Sequence, residues 1–360
     1  MRFKTVAVSN YRNIKFARLD VDADRVFFLG RNGQGKTNLL EATGYVTSLR
    51  AFRARENETL LGPESPQAEI LFEMEHEEYD EVEARVRIKK KGKEVYLDRE
   101  PVRRASDFVG RFPAVMLSSE DLSIVRGSPG GRRRFIDTFL CGIDRDYYVA
   151  LQRYQKCIQE RNALLKKGAA ANLMKPFEVQ MVQPCLEVIR KREKVIGELG
   201  GMASRFYEML SGSAEEIGMS YKPNASPEDE DAYWALLERN RRRDEIMHST
   251  SKGPHRDDFE LSLNGRPAAD FASDGQQRSI ALSLAFATIA YWRERFGVCP
   301  VLLIDDVLGE LDPMRRQRFW NALDGGIQLI ATGTELPDAA SGKEWRVYEV
   351  EKGEFKPSAP

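Results

Sequence analysis

The chain has 360 residues, 42% of them hydrophobic, and 55 basic residues against 56 acidic ones leave a net charge of −1. That length supports two domains, or one large domain carrying an insertion, with enough apolar residues for a sizeable core. The charge balance excludes a uniformly basic nucleic-acid binder, so any such surface is a local patch. The lack of an 18-residue apolar run excludes a helical membrane span.

Four cysteines (Cys141, Cys157, Cys185, Cys299) stand far apart with no C-x-x-C pair, and the three histidines are equally scattered. Neither a disulfide framework nor a structural zinc site is expected, which fits a reducing compartment. Residues 1–6 alternate like a strand and lack the apolar core of a signal peptide, so a cytoplasmic location is expected.

In chain order, residues 1 to about 30 read as strands, with a turn at Asn10-Tyr11-Arg12-Asn13. The apolar run Arg25–Leu29 reads as a buried parallel strand. It leads into Gly30-Arg31-Asn32-Gly33-Gln34-Gly35-Lys36-Thr37, which fits G-x-x-x-x-G-K-[ST], and a helix is expected over Asn38–Thr47. Strand, loop and helix in that order turn backbone N–H groups toward a phosphate and add the positive end of a helix dipole. Lys36 suits the β- and γ-phosphates and the Thr37 hydroxyl suits Mg²⁺, so ATP with Mg²⁺ is the expected ligand.

Two antiparallel strands, Ala68–Glu75 and Glu81–Lys89, are expected next, with a lysine-rich turn and a return strand at Glu94–Leu97. After a short strand at Phe112–Leu117 the apolar period becomes helical. Helices are expected over Gly130–Cys141, from Asp144 to about Lys167, and over Pro176–Leu210 with Pro184 inside. A loop over Ser211–Pro227 and a helix to about Met247 follow. The long helices read as an arm, too short for an extended coiled coil. Strand Asp258–Leu263, a polar loop ending in Ser273-Asp274-Gly275-Gln276-Gln277, and a helix over Arg278–Arg295 complete that section. Apolar strand Pro300–Ile304 ends in Asp305 and Asp306. In a P-loop ATPase the first such carboxylate orients Mg²⁺ and the second polarises the attacking water. A helix over Met314–Leu323, strands over Ile327–Ala331 and Trp345–Val350, and a polar tail end the chain.

The order of P-loop, S-x-G-Q, apolar-D-D and Gly309-Glu310-Leu311-Asp312 resembles the ABC-type ATPase heads, and the G-x-N-G-x-G-K-T form of the P-loop resembles their SMC and Rad-type DNA-repair branch. Asn10-Tyr11-Arg12-Asn13, Gly127-Ser128-Pro129 with Arg132-Arg133-Arg134-Phe135-Ile136-Asp137, Gly253-Pro254-His255-Arg256-Asp257-Asp258 and Gly275-Gln276-Gln277-Arg278 are similar to the RecF family of bacterial recombination mediators, over essentially the whole chain. The resemblance implies an α/β fold: a P-loop ABC-type ATPase head, with a mixed sheet, flanking helices and an antiparallel β-subdomain, into which a helical arm is inserted. Residues 1–122 and 248–360 would form the head and 123–247 the arm.

It further implies roles residue by residue. Gly30, Arg31, Asn32, Gly33, Gln34, Gly35, Lys36, Thr37 and Asn38 would hold the nucleotide, with Arg12 and Asn13 near the adenosine. Thr37 and Asp305 would hold Mg²⁺, and Asp306 would position the water. Ser273, Gly275 and Gln276 would meet the γ-phosphate bound by a second copy, so ATP would join two heads and hydrolysis release them. Asp306 stands where ABC transporters usually have glutamate, and Thr332-Gly333-Thr334 lacks a switch histidine; slow ATP turnover is expected. The resemblance names DNA, RecR, RecO and RecA as partners. Candidate DNA contacts are Arg132–Arg134, Arg241–Arg243 and Lys89–Lys93, each competing with a solvated or ion-paired face. The alternative is an SMC/Rad-like ATP-switched clamp or scaffold with no mediator role.

Overall fold

The computed structural model describes residues 1–51, 56–122, 124–323, 325–337 and 344–358. The chain forms two compact units: residues 1–123, 202–215 and 273–360 make the head, and residues 124–201 and 216–272 make the arm. This differs from the expected division, which ended the arm at residue 247. The reason is a strand where a loop was expected. Ile217–Lys222 pairs antiparallel with Asp258–Leu263, Asp258 opposite Lys222 and Leu263 opposite Ile217, and so draws residues 248–272 into the arm. The sequence Ile-Gly-Met-Ser-Tyr-Lys is too polar to announce that strand.

Among the described residues the head carries two six-stranded sheets. In the first, Arg25–Leu29 lies between Leu329–Gly333 and Arg346–Glu351, followed outward by Val301–Asp305 and Ala114–Ser118, all parallel. Strands buried on both faces need continuous apolar runs, and Val26, Phe27, Phe28 and Val301–Ile304 supply them. The expected polar tail instead folds back: Glu354–Pro357 pairs antiparallel with Arg346–Glu351 through a turn at Lys352-Gly353. The second sheet is antiparallel, and its strand Gln67–His76 buries every second residue from Ala68 to His76, as one covered face requires. Helix Lys36–Ser48 packs against both sheets and buries eleven of its thirteen residues, so it shows almost no amphipathic pattern.

The arm is built from helices Pro129–Ile143, Arg145–Lys166 and Glu230–Met247 and the greater part of Ala171–Ser211. The last begins five residues before the expected start and keeps Pro176 and Pro184 inside it. Asp144 and Asp229 cap two of them, accepting from Tyr147 N at 2.9 Å and Ala232 N at 2.8 Å. Tyr154, Cys157, Met181, Cys185, Tyr233 and Leu237 form the centre of the arm core. Two buried arginines tie its segments together. Arg161 reaches Glu178 at 2.9 Å, Asp244 at 2.8 Å and Thr250 at 2.8 Å; Arg192 reaches Asp137 at 2.8 Å and Asp257 at 3.2 Å. All four cysteines are free thiols.

Candidate nucleotide site

The P-loop joins the end of strand Arg25–Leu29 to helix Lys36–Ser48, which starts two residues earlier than expected. Gly35 occupies the N-cap with φ 114° and ψ 0°, a conformation closed to side chains, and a Cβ there would lie 2.9 Å from the Asn13 amide nitrogen. The Lys36 ammonium is buried and donates to the Gly30 carbonyl at 2.5 Å and the Arg31 carbonyl at 3.1 Å. Residues Asn32 to Asn38, with Asp306, line a cleft of about 220 Å³.

Two supports of this loop lie far away in the chain. Asn13 donates to the Gln34 carbonyl at 3.2 Å and accepts from Asn38 at 2.8 Å, bridging loop and helix. The Lys352-Gly353 turn grips Gln34 from the other side: Gly353 N donates to its carbonyl at 2.8 Å and Lys352 N to its side-chain oxygen at 2.8 Å. Sequence reasoning missed that turn, because Gln34 stands at a variable position of the motif. Arg12 is tied to the P-loop helix. Its guanidinium pairs at 2.6 Å with Glu41, a fully buried carboxylate on the P-loop helix that also accepts from Tyr11 OH at 3.2 Å. Arg12 therefore holds the P-loop helix against the turn at residues 10–13.

Asp305 is the junction of the site. Its Oδ1 accepts from Thr37 Oγ1 at 2.9 Å and from Thr332 Oγ1 at 2.7 Å, at the ends of three adjacent structural elements. A threonine hydroxyl beside a carboxylate is an oxygen donor set that suits a hard divalent cation. Asp306 follows at φ 60°, held by its N–H to Thr332 Oγ1 at 3.2 Å. Burial pushes the Asp306 carboxyl above its usual range, with Asp305 and Glu310 adding to the effect and Lys36 opposing it. Beyond Asp306 a second cleft of about 600 Å³ runs past Phe27, Glu310 and Thr334.

Ser273–Gln277 is not a loop before its helix but the first turn of that helix, which spans Asp274–Phe296. Ser273 and Gln276 form a reciprocal capping box: Ser273 N donates to Gln276 Oε1 at 2.7 Å and Gln276 N to Ser273 Oγ at 3.3 Å. The Gln276 amide donates onward to Glu215 at 2.7 Å. Ser273, Gly275 and Gln276 are not among the described residues that line either of these two clefts.

The basic clusters are mostly spoken for. Arg132 is bidentate on Asp258 at 2.6 and 2.8 Å, Arg133 donates to the Asp257 carbonyl at 2.5 Å, and Arg241 pairs with Glu178 at 3.2 Å. Lys90 pairs with Glu58 at 2.6 Å and Lys89 with Glu94. Lys93 donates to the last carbonyl region of the P-loop helix at Leu49, and burial together with nearby Arg50 lowers its pKa to about 8. Arg134, Arg242, Arg243 and Lys91 are exposed.

The model of the RecF/RecN/SMC N-terminal domain family matches residues 2–338. The chain is 32% identical to the DNA replication and repair protein RecF of Rippkaea orientalis over 99% of this chain and 100% of that one. It is 33% identical to RecF of an Exiguobacterium species over 99% of each. Its fold superposes on a solved structure of the recombination mediator RecF with ATP at a TM-score of 0.88, with 27% identity across 99% of this chain and 98% of the other. P-loop, Asp305 strand and signature helix thus sit in the ABC-type head that the topology describes, and the chain belongs to the RecF family.

Proposed function

We propose that this chain is an ATP-switched recombination mediator of the cytoplasm that acts on duplex or gapped DNA with RecO and RecR to load RecA onto single strands. The observation that carries the reading is that Asn32–Asn38 of the P-loop line one cleft with Asp306, with Asp305 bonded to Thr37 at 2.9 Å, while the capped signature turn of the same chain lines neither cleft. A second copy placed face to face brings Ser273, Gly275 and Gln276 to the γ-phosphate, so nucleotide binding and dimerisation become one event. Solved RecF structures hold ATP and ATPγS, and the RecFOR pathway is the setting of those proteins.

In this reading Lys36 leaves the Gly30 and Arg31 carbonyls for the β- and γ-phosphates. Thr37 and Asp305 would hold Mg²⁺, which supplies charge neutralisation at the phosphates. Asp306, with its raised carboxyl pKa, orients and deprotonates the attacking water. Its short side chain, and the stretch Thr332-Gly333-Thr334 with no histidine where a switch histidine would stand, suit slow turnover and a timed release. Sedimentation with ATP, with and without duplex DNA, in wild type and Lys36→Arg tests the reading. A dimer is expected only for wild type with ATP, and a wild-type chain that stays monomeric with ATP refutes it.

A further inference from the structure

The signature turn is braced by an arginine that belongs to no motif. Arg315 lies in the first turn of helix Pro313–Ala322, whose N-cap is Asp312 of the Gly309–Asp312 loop. Asp312 Oδ1 accepts from Met314 N at 3.1 Å and Arg315 N at 3.0 Å, and its Oδ2 takes the Arg315 guanidinium. Those bonds hold the Asp312 carboxyl below its ordinary pKa. From there the side chain crosses to the signature helix. Its Nε donates to Ser279 Oγ at 3.3 Å, and that hydroxyl donates to the Gly275 carbonyl at 3.2 Å. The guanidinium lies so close over Gly275 that a Cβ on this residue would stand 2.5 Å from Nη2 and 2.7 Å from Cζ. A cation beside the N-terminal end of a helix is opposed by the helix dipole, and Asp312 offsets that opposition.

We infer that Arg315 is a positioning residue that joins the signature turn and the Gly309–Asp312 loop into one rigid element, its guanidinium lying across Gly275. The planar fork suits the place: Nε serves Ser279 while Nη1 serves Asp312, two donors held at a fixed separation on one rigid group. The inference rests on the dimer proposed above. Its consequence is that both segments meet the partner's nucleotide as a unit, so losing Arg315 weakens the dimer and leaves nucleotide binding by the single chain intact.

The test is a double-mutant cycle of Ser279→Ala and Arg315→Ala, with two readouts. ATP-driven dimerisation is followed by sedimentation, and nucleotide affinity of the monomer by titration with a fluorescent ATP analogue at high dilution. Each single variant is expected to weaken dimerisation about tenfold, and the double variant no more than either, because both disrupt the same interaction. Monomer affinity is expected to stay within about twofold of wild type, since neither residue lines the P-loop cleft. Arg315→Lys is read by the same criteria and covers the case in which the alanine variant does not fold. Multiplicative losses in the double variant, undiminished dimerisation in Arg315→Ala, or an equal loss of monomer affinity each overturn the inference. A wild-type chain that does not dimerise with ATP overturns the underlying reading instead.

Discussion

Replacing Arg12 by alanine separates two roles for the turn at residues 10–13. The guanidinium sits 2.6 Å from Glu41, whose side chain is 0% exposed while that of Arg12 is 24% exposed. Removing one partner of a fully buried pair costs about 3–5 kcal/mol, because a charge is left in a medium that cannot solvate it. Arg12 is partly screened by solvent, which reduces the expected loss to about 2–3 kcal/mol. Three of the four tryptophans, Trp292, Trp320 and Trp345, belong to the head, so tryptophan fluorescence in urea reports this unit. The midpoint is expected to fall by about 1 M. Adding Glu41→Gln removes the stranded charge and is expected to recover more than half of the loss. If Arg12→Ala leaves the midpoint unchanged while ATP affinity drops tenfold or more, the side chain serves the nucleotide and the reasoning from Glu41 fails.

Three further outcomes are expected. Asp306→Glu extends the carboxylate by one methylene, and single-turnover hydrolysis is expected to speed up; a sharp fall would refute the chain-length argument. His255 accepts from Tyr154 OH at 2.7 Å through Nδ1 and donates to the Thr250 carbonyl at 2.9 Å through Nε2, and burial lowers its pKa to about 4. The unfolded chain therefore binds the extra proton first. Its stabilisation is complete above about pH 6.5 and declines as pH falls toward 4, by about 2 kcal/mol at pH 5. Denaturant unfolding of the arm followed by far-UV CD should show that slope, and His255→Gln should flatten it; an unchanged slope excludes His255 as its source. Finally, Arg242→Ala with Arg243→Ala should lower the slope of log Kd for DNA against log salt by about 0.9 for each phosphate that these side chains neutralise. Arg132→Ala should instead act through arm stability, since its fork is committed to Asp258. Equal salt slopes for the double variant and Arg132→Ala would contradict this sorting.

The parts of the site legible in the sequence are those where one residue type has one job. Gly35 needs a left-handed φ, and Asp305 ends an apolar strand beside the P-loop helix; both follow from local pattern. What stayed hidden depends on partners brought in by topology. Gln34 is an unconstrained motif position, yet it is fixed by a turn 318 residues away. The arginine runs look alike in sequence, while Arg132 and Arg241 are neutralised by Asp258 and Glu178, which no spacing connects to them. Strand Ile217–Lys222 was invisible because its partner strand, not its own apolar content, stabilises it. Arg315 escaped notice for the same reason: its meaning lies in what Gly275 leaves uncovered.

The central strand Arg25–Leu29 has a consequence for biosynthesis. Both neighbours, Leu329–Gly333 and Arg346–Glu349, emerge roughly 300 residues after it. At about 5–20 residues per second, the phosphate loop waits about 15–60 s on the ribosome with both strand edges unpaired. The antiparallel sheet, whose strands are neighbours in sequence, can close long before then. ATP therefore finds no formed cradle until those strands have emerged and the hairpin at Lys352-Gly353 closes on Gln34.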